Sequence, residues 1–336
     1  MIREALLYEE LKDHNVHCYL CNHHCKIKES YFGFCGAREN RGGKLFTHTY
    51  GETVAANIDP IEKKPLYHFL PGTRTFSIAT QGCNFHCGFC QNWQISQVFV
   101  QQDSNLKSID LLPLDIVDYA LKQNCKSVSY TYTEPTIFFE YALDTSRIAR
   151  ENNLKNAMIT NGYMTVEALR MISPYLDACN VDLKSFNDDF YSKICNGHLQ
   201  PVLRSIEEMK KLGIWVEITT LIIPDKNDSE KELTAIAEFI AGLDVNIPWH
   251  ISRFHPDYEF TDGVSTPLPT LDTASEIGES AGLKYIYKGN VLGNVTETKC
   301  AKCGAVLVRR NGFFVDMNRI KDSKCPSCGE VLDGVF

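Results

Sequence analysis

The chain has 336 residues, 44% of them hydrophobic and 23% charged, a composition that fits a water-soluble globular protein too large for one small core. A formal net charge of −8 argues against a general polyanion-binding surface. No apolar run reaches the roughly 18 to 20 residues of a membrane span, and the opening stretch MIREALLYEELKDHN carries acids where a secretion signal has an apolar core. The expected location is the cytoplasm, with no membrane contact.

Thiols stay reduced in that compartment, so the 14 cysteines read as metal ligands or catalysts rather than as disulfides. The first region, residues 1–70, is cysteine-rich. It carries Cys18, Cys21, Cys25 and Cys35 at a spacing that departs from the bacterial ferredoxin run. Gly33 and Gly36 bracket the last cysteine and suit a metal knuckle, and His17, His23 and His24 stand nearby. A structural zinc ion and an auxiliary iron–sulfur cluster both fit this set.

Residues 71–290 alternate strand and helix signals. Strands are expected at 75–80 (TFSIAT), 127–133 (SVSYTYT), 156–160 (NAMIT), 179–183 (CNVDL), 214–223 (IWVEITTLII) and 247–254 (IPWHISRF). Helices are expected near 114–123, at 137–151 and at 229–241. Strand and helix repeating without hairpin turns means parallel strands with right-handed crossovers. The fold class is therefore α/β, a partial (β/α)6 TIM-like barrel with small extensions at both ends, and its chemistry belongs at the carboxyl ends of the strands. Polar motifs stand at those ends: the loop GCNFHCGFC after the first strand, Tyr132-Thr133-Glu134-Pro135 after the second, Asn161-Gly162-Tyr163 after the third, and Asp182-Leu183-Lys184 at the fourth.

The loop sets Cys83, Cys87 and Cys90 at CxxxCxxC spacing. A 4Fe-4S cube takes four thiolates, so three leave one iron open to a substrate or cofactor, as in a catalytic zinc site. Zinc held by the three thiolates and His86 is the alternative. Cys125, Cys179 and Cys195 stand alone and read as small buried apolar residues.

Residues 291–336 carry Cys300, Cys303, Cys325 and Cys328 as two CxxC pairs, each followed by glycine. This is a zinc-ribbon pattern, a closed tetrahedral site that stabilises a short tail; rubredoxin-like iron is the chemical alternative. The tail is basic and the barrel segment acidic, so any nucleic acid would be gripped by residues 299–324.

CNFHCGFC, placed after the first strand, resembles the cluster loop of the radical S-adenosylmethionine (SAM) superfamily. Tyr132-Thr133-Glu134-Pro135 occupies the place of its GGEP segment, with both glycines replaced. Thr160-Asn161-Gly162 and Asp182-Leu183-Lys184 are similar to the TNG and DLK segments of glycyl-radical-enzyme activases, and His255 falls where a histidine approaches the adenosine. Ile159 stands where the pyruvate formate-lyase activase has an acid that helps hold a monovalent cation. The segments DPIEKKPLY (59–67), GCNFHCGFCQNWQISQ and WHISRFHPDY (249–258) resemble the AmmeMemoRadiSam-type radical SAM proteins over nearly the whole chain.

The resemblance implies a 4Fe-4S cluster on Cys83, Cys87 and Cys90, and SAM contacts from Thr133, Glu134, Asn161, Asp182, Lys184 and His255. Lys184 pairs either with the SAM carboxylate or with Asp182. Reductive cleavage of SAM would give a 5′-deoxyadenosyl radical that takes hydrogen from a small molecule or nucleic-acid base. The other readings are an activase that acts on a protein partner, and a non-catalytic metal-stabilised scaffold. Implied partners are Memo-type and AMMECR-type proteins and an electron donor such as flavodoxin or ferredoxin.

Overall fold

The middle of the chain builds one eight-stranded sheet whose spatial order follows the sequence. The computed structural model describes residues 1–98 and 106–336. The strands are β1 (Ala55–Pro60), β2 (Arg74–Ala79), β3 (Ser127–Tyr130), β4 (Lys155–Thr160), β5 (Ala178–Asp182), β6 (Trp215–Ile222), β7 (Trp249–Arg253) and β8 (Ile286–Gly289). β2 through β8 pair in parallel, and β1 runs antiparallel to β2. Among the described residues no pairing of β1 with β8 closes the sheet, so the barrel is partial.

The expected α/β class holds, with two additions. β8 is a short, polar IYKG run that carries no alternation signal, and it pairs only because the helix before it delivers it beside β7. β1 comes from the segment read as amino-terminal and extends the sheet upstream of residue 71.

Helices cover the sheet because each has one apolar stripe: α1 (Pro113–Lys122), α2 (Phe139–Glu151), α3 (Val166–Ile172), α4 (Leu199–Lys211), α5 (Glu230–Leu243) and α6 (Leu268–Ser280). In α4 the buried Val202, Ile206 and Met209 recur at helical spacing. α5 starts where Ser229 Oγ accepts from the Glu232 amide at 3.3 Å, a cap worth about 1 kcal/mol. Strands covered on both faces need no alternation, and β3 is buried at every residue.

The amino-terminal segment forms two small antiparallel sheets, Arg3–Glu4 with Arg38–Arg41 and Lys44–Thr47, and Tyr8–Glu10 with Val16–Cys18 and Lys26–Ile27. Its Val16, Leu20, Ile27 and Leu45 belong to the same buried apolar cluster as Phe85, Phe89 and Ile137 of the barrel. The Asn22 amide donates to the Tyr163 carbonyl at 3.0 Å, fastening this segment to the loop after β4.

The tail is a three-stranded antiparallel sheet, β9 (Val295–Lys299), β10 (Val306–Asn311) and β11 (Phe314–Asn318). It has its own small core of Leu307, Val308 and Leu332 beside Cys300 and Cys325. Arg310, fully buried, docks it: one guanidinium nitrogen donates to the Tyr67 carbonyl at 2.7 Å, and Nε lies 3.6 Å from the equally buried Glu62. Breaking such a pair costs about 3 to 5 kcal/mol. Among the described residues no helix is long and apolar enough to cross a membrane.

Candidate functional site

The carboxyl ends of β2 through β7 open onto a cavity of about 540 Å³. Cys83, Cys87, Cys90, Thr133, Glu134, Asn161, Asp182 and Lys184 all line it. His255 lies on a neighbouring cavity of about 510 Å³, and its Nε2 is 3.0 Å from Gln91 Nε2 on the first one. The two cavities share Asn290 and Phe313.

The cysteine loop is held from both sides. The His86 amide donates to the Cys195 carbonyl at 3.0 Å and the Gly88 amide to the Ile194 carbonyl at 3.3 Å, both on a π-helical turn, Tyr191–Cys195. Sulfur contacts finish the loop: the Phe85 amide donates to Cys83 Sγ at 3.3 Å, and Ser96 Oγ lies 3.1 Å from Cys90 Sγ. Burial pushes the Cys83 thiol well above the ordinary 9.0, helped by the Glu134 charge and its sister cysteines. For Cys87 a hydrogen bond with Cys195 acts first and burial second, in the same direction. Lys184 pulls the Cys87 and Cys90 thiols down, but burial outweighs it, so a bound metal centre would be what turns these sulfurs into thiolates.

Sulfur spacing separates a single ion from a cluster. Tetrahedral zinc with bonds of 2.3 Å brings its sulfurs to about 3.8 Å of one another. Among the described residues, the group whose ligand atoms all lie within 4.8 Å is Cys300, Cys303, Cys325 and Cys328. The three loop cysteines do not all fall within that limit, which suits a cluster better than one ion. His86, the alternative fourth ligand, turns away and stacks on Phe34 with ring centroids 4.4 Å apart. The donor set therefore fits a 4Fe-4S cluster with one open iron.

Glu134 is 2% exposed and has both oxygens occupied. Oε1 accepts from the Thr136 amide at 3.0 Å and from Thr160 Oγ1 at 2.8 Å, and Oε2 accepts from the Asn161 amide at 2.8 Å. Burial raises its carboxyl above 4.5 even against these bonds. Glu134 thus ties the end of β3 to the Thr160-Asn161-Gly162 turn. Gly162 has φ +72°, and a Cβ there would meet Val181 at 2.9 Å, so the turn requires glycine. Asn161 carries the tie onward: its Nδ2 donates to Asn84 Oδ1 at 2.8 Å and lies 3.9 Å from Cys83 Sγ. Thr133 Oγ1 donates to the Thr80 carbonyl at 2.8 Å.

Lys184 Nζ is 2.9 Å from Asp182 Oδ2, the second of the two pairings open to it. Burial acts to lower its pKa, and Asp182 with the Cys87 and Cys195 sulfurs raises it well above 10.5. Ile159 lines the same cavity.

Several functional candidates carried no sequence signal of their own. Cys195 is one; only its being a spare cysteine marked it. Lys63 and Lys64 line the cavity, and both pair with Asp59, at 2.9 and 2.7 Å. Phe313 reaches the cavity from the turn between β10 and β11, although it belongs to the tail.

The flanking cysteine groups differ from each other. In the tail, Cys300 and Cys328 sulfurs are 3.6 Å apart and Cys303 and Cys325 sulfurs 3.8 Å, a mononuclear metal geometry. Cys18, Cys21, Cys25 and Cys35 line one small cavity with Arg38 and Asn84.

Known proteins agree with this architecture. Residues 77–240 match the radical SAM superfamily. An uncharacterized protein of Methanocaldococcus jannaschii is 46% identical over 340 residues, covering 100% of both chains. The pyruvate formate-lyase-activating enzyme of Clostridium pasteurianum is 22% identical over 173 residues, 52% of this chain and 71% of that one. A solved radical SAM methyltransferase from Sphaerobacter thermophilus shares the fold, with a TM-score of 0.51 over 71% of each chain at 16% identity. With its three-cysteine loop on the rim of a partial barrel, this chain belongs to the radical SAM superfamily.

Proposed function

We propose that this protein is an enzyme that binds a 4Fe-4S cluster through Cys83, Cys87 and Cys90 and cleaves SAM reductively to act on a small molecule or nucleic-acid base. The observation that carries this reading is the convergence of the three cysteines with the ends of β3, β4 and β5 on one cavity. When bound, the cluster and SAM supply the chemistry: one electron into the sulfonium gives methionine and an adenosyl radical that takes a hydrogen atom.

The chain's own residues bind and orient. Thr133, Glu134 and Asn161 shape the turn beside the open iron, with Glu134 acting through Asn161. Lys63, Lys64 and Lys184 offer positive charge to the SAM carboxylate, and Asp182 offers an acceptor to the ribose hydroxyls. His255 and Gln91 form the edge toward the adenosine. The tail cysteines hold zinc as a closed site that folds the ribbon, in keeping with their sulfur spacing.

Residues 1–70, 71–290 and 291–336 act as a cysteine-rich cap, a barrel and a ribbon. Reduced cysteines throughout suit a cytoplasmic enzyme. The electron comes from a flavodoxin- or ferredoxin-type donor, and the segment resemblance supports Memo-type and AMMECR-type partners. The similarity to a pyruvate formate-lyase-activating enzyme favours a second reading, an activase that takes hydrogen from a partner protein.

The test is anaerobic reconstitution followed by reduction with dithionite in the presence of SAM. The expected result is 5′-deoxyadenosine from the native chain and none from Cys83→Ala, Cys87→Ala or Cys90→Ala. Full cleavage by any of these variants overturns the reading.

A further inference from the structure

The amino-terminal cysteines converge on a site that the proposed reaction does not use. Cys18, Cys21, Cys25 and Cys35 line one cavity, together with Arg38, Asn84 and His23. Two chemistries suit four thiolates, a single zinc ion and an iron–sulfur cluster, and the same molecule offers a standard for each. The ribbon has its sulfurs gathered within 4.8 Å, as one ion demands; among the described residues no three of the amino-terminal cysteines meet that limit. Cys83, Cys87 and Cys90 do not meet it either.

The polar atoms around the site point the same way. Arg38 is 1% exposed and Asn84 0%. Among the described residues, both have a buried donor without a partner, Arg38 Nε and Asn84 Nδ2. A buried donor left unmade is unfavourable, so two on one cavity wall call for an acceptor inside it. Arg38 also directs a second nitrogen at Cys18 Sγ, 3.6 Å away. A zinc ion in a tetrathiolate brings no acceptor beyond the four cysteines. The Arg38 charge is already paired with the buried Glu140, but a cluster brings bridging sulfides, which accept the N–H donors left over.

We infer that Cys18, Cys21, Cys25 and Cys35 hold a second 4Fe-4S cluster, closed by four thiolates, directly behind the three-cysteine loop. The juxtaposition is carried by Asn84. Its side chain lines the amino-terminal cavity, and its chain neighbour Cys83 lines the catalytic one. His23 Nε2 lies 2.7 Å from the Asn84 carbonyl and Asn161 Nδ2 2.8 Å from its Oδ1. With four thiolates the second cluster has no open iron, so it carries electrons and does not bind SAM.

The test uses the full chain with Cys83, Cys87 and Cys90 all changed to alanine, prepared anaerobically, so that the amino-terminal site is left intact. The expected result is about four iron and four sulfide per chain, an electron paramagnetic resonance signal on reduction, and no change in that signal when SAM is added. A variant with no iron and two zinc ions per chain overturns the inference. In the converse variant, Cys18→Ser with Cys35→Ser, the native iron content should fall by about half while the remaining signal still shifts with SAM. A SAM-responsive signal with full iron content in that variant also overturns it. Because the two sites are emptied separately, failure at the three-cysteine loop is told apart from failure here.

Discussion

The Tyr132 hydroxyl donates a hydrogen bond to the Asp59 carboxylate, and Lys64 Nζ, 2.7 Å from the same carboxylate, sits 4.1 Å above the Tyr132 ring. Tyr132 has φ +64°, a left-handed conformation that normally selects glycine. The side chain is anchored to β1, and the anchor offsets the strain.

The first prediction follows from that anchor. Burial acts to raise the Asp59 pKa, and hydrogen bonds from Lys64, Tyr132 and Lys63 hold it well below the usual carboxylate range. Tyr132→Phe keeps the ring under Lys64 and removes one bond to a charged group, a loss on the order of 1.5 kcal/mol. The carbonyl of Tyr132, which accepts from Asn92 Nδ2 at 2.9 Å, then loses its fixed orientation. SAM affinity, measured by equilibrium dialysis on reconstituted protein, should fall several-fold at unchanged iron content. Native affinity in Tyr132→Phe would remove the hydroxyl from this role.

Glu134 gives the second. Every group around it is a donor, so Glu134→Gln turns an acceptor into a donor facing the Thr136 or Asn161 amide. The unmet bond costs about 1 to 3 kcal/mol. The expected outcome is a lower thermal midpoint and a SAM dissociation constant raised about tenfold, with loop iron retained. A drop in stability without any change in SAM affinity would assign Glu134 to the scaffold.

Much of this was legible in the sequence because the signals were local. CxxxCxxC after a run of buried strand, the helical segment at 229–241, and two CxxC pairs each announce a geometry that neighbours in the chain complete by themselves. What escaped depends on contacts across the fold. β8 is a strand only because β7 offers it an edge. Cys195 reaches Cys87 only because the turn Tyr191–Cys195 adds a residue and takes a π-helical pitch. His86, placed among the cysteines by sequence, is drawn out of the site by Phe34 from the amino-terminal segment.

The third prediction concerns pH. His68 is buried where the tail docks, with Nδ1 3.0 Å from the Asp333 carbonyl and Nε2 2.8 Å from the Tyr287 hydroxyl. The carbonyl requires a proton on Nδ1, and in the neutral ring Nε2 then accepts from the Tyr287 hydroxyl. Burial lowers its pKa from 6.5 to about 4, against the smaller pull of Glu217. Between those values the unfolded chain takes up a proton that the native chain refuses. Stability is therefore full above pH ~6.5 and declines as pH falls toward ~4, by on the order of 3 kcal/mol. Urea midpoints from pH 5 to 7 should slope upward in the native chain and flatten in His68→Asn, which keeps a donor to Asp333. Equal slopes would show that another group sets the acid limit.

The last prediction asks where the substrate enters. Phe313 and Asn290 line both the catalytic cavity and its neighbour. Phe313 belongs to the ribbon and is 45% exposed, so an apolar ring stands at the boundary between the two spaces. Deleting the tail is no test of this position, because Glu62 would be left buried without Arg310. Phe313→Ala is milder, since the ring makes no hydrogen bond and sits in a surface turn. A half-exposed ring gives up about 1 kcal/mol of contact, worth about fivefold in affinity. Phe313 is not among the proposed SAM contacts, so total 5′-deoxyadenosine should stay within about twofold of the native chain. Hydrogen taken from a substrate is read separately, as deuterium in 5′-deoxyadenosine after incubation with a perdeuterated cell extract split by molecular size. Phe313→Ala should transfer about fivefold less deuterium than the native chain. The active fraction decides between the two readings: small molecules favour a metabolite or base, and macromolecules favour a partner protein. Deuterium transfer at the native level would mean that substrate does not pass the ribbon.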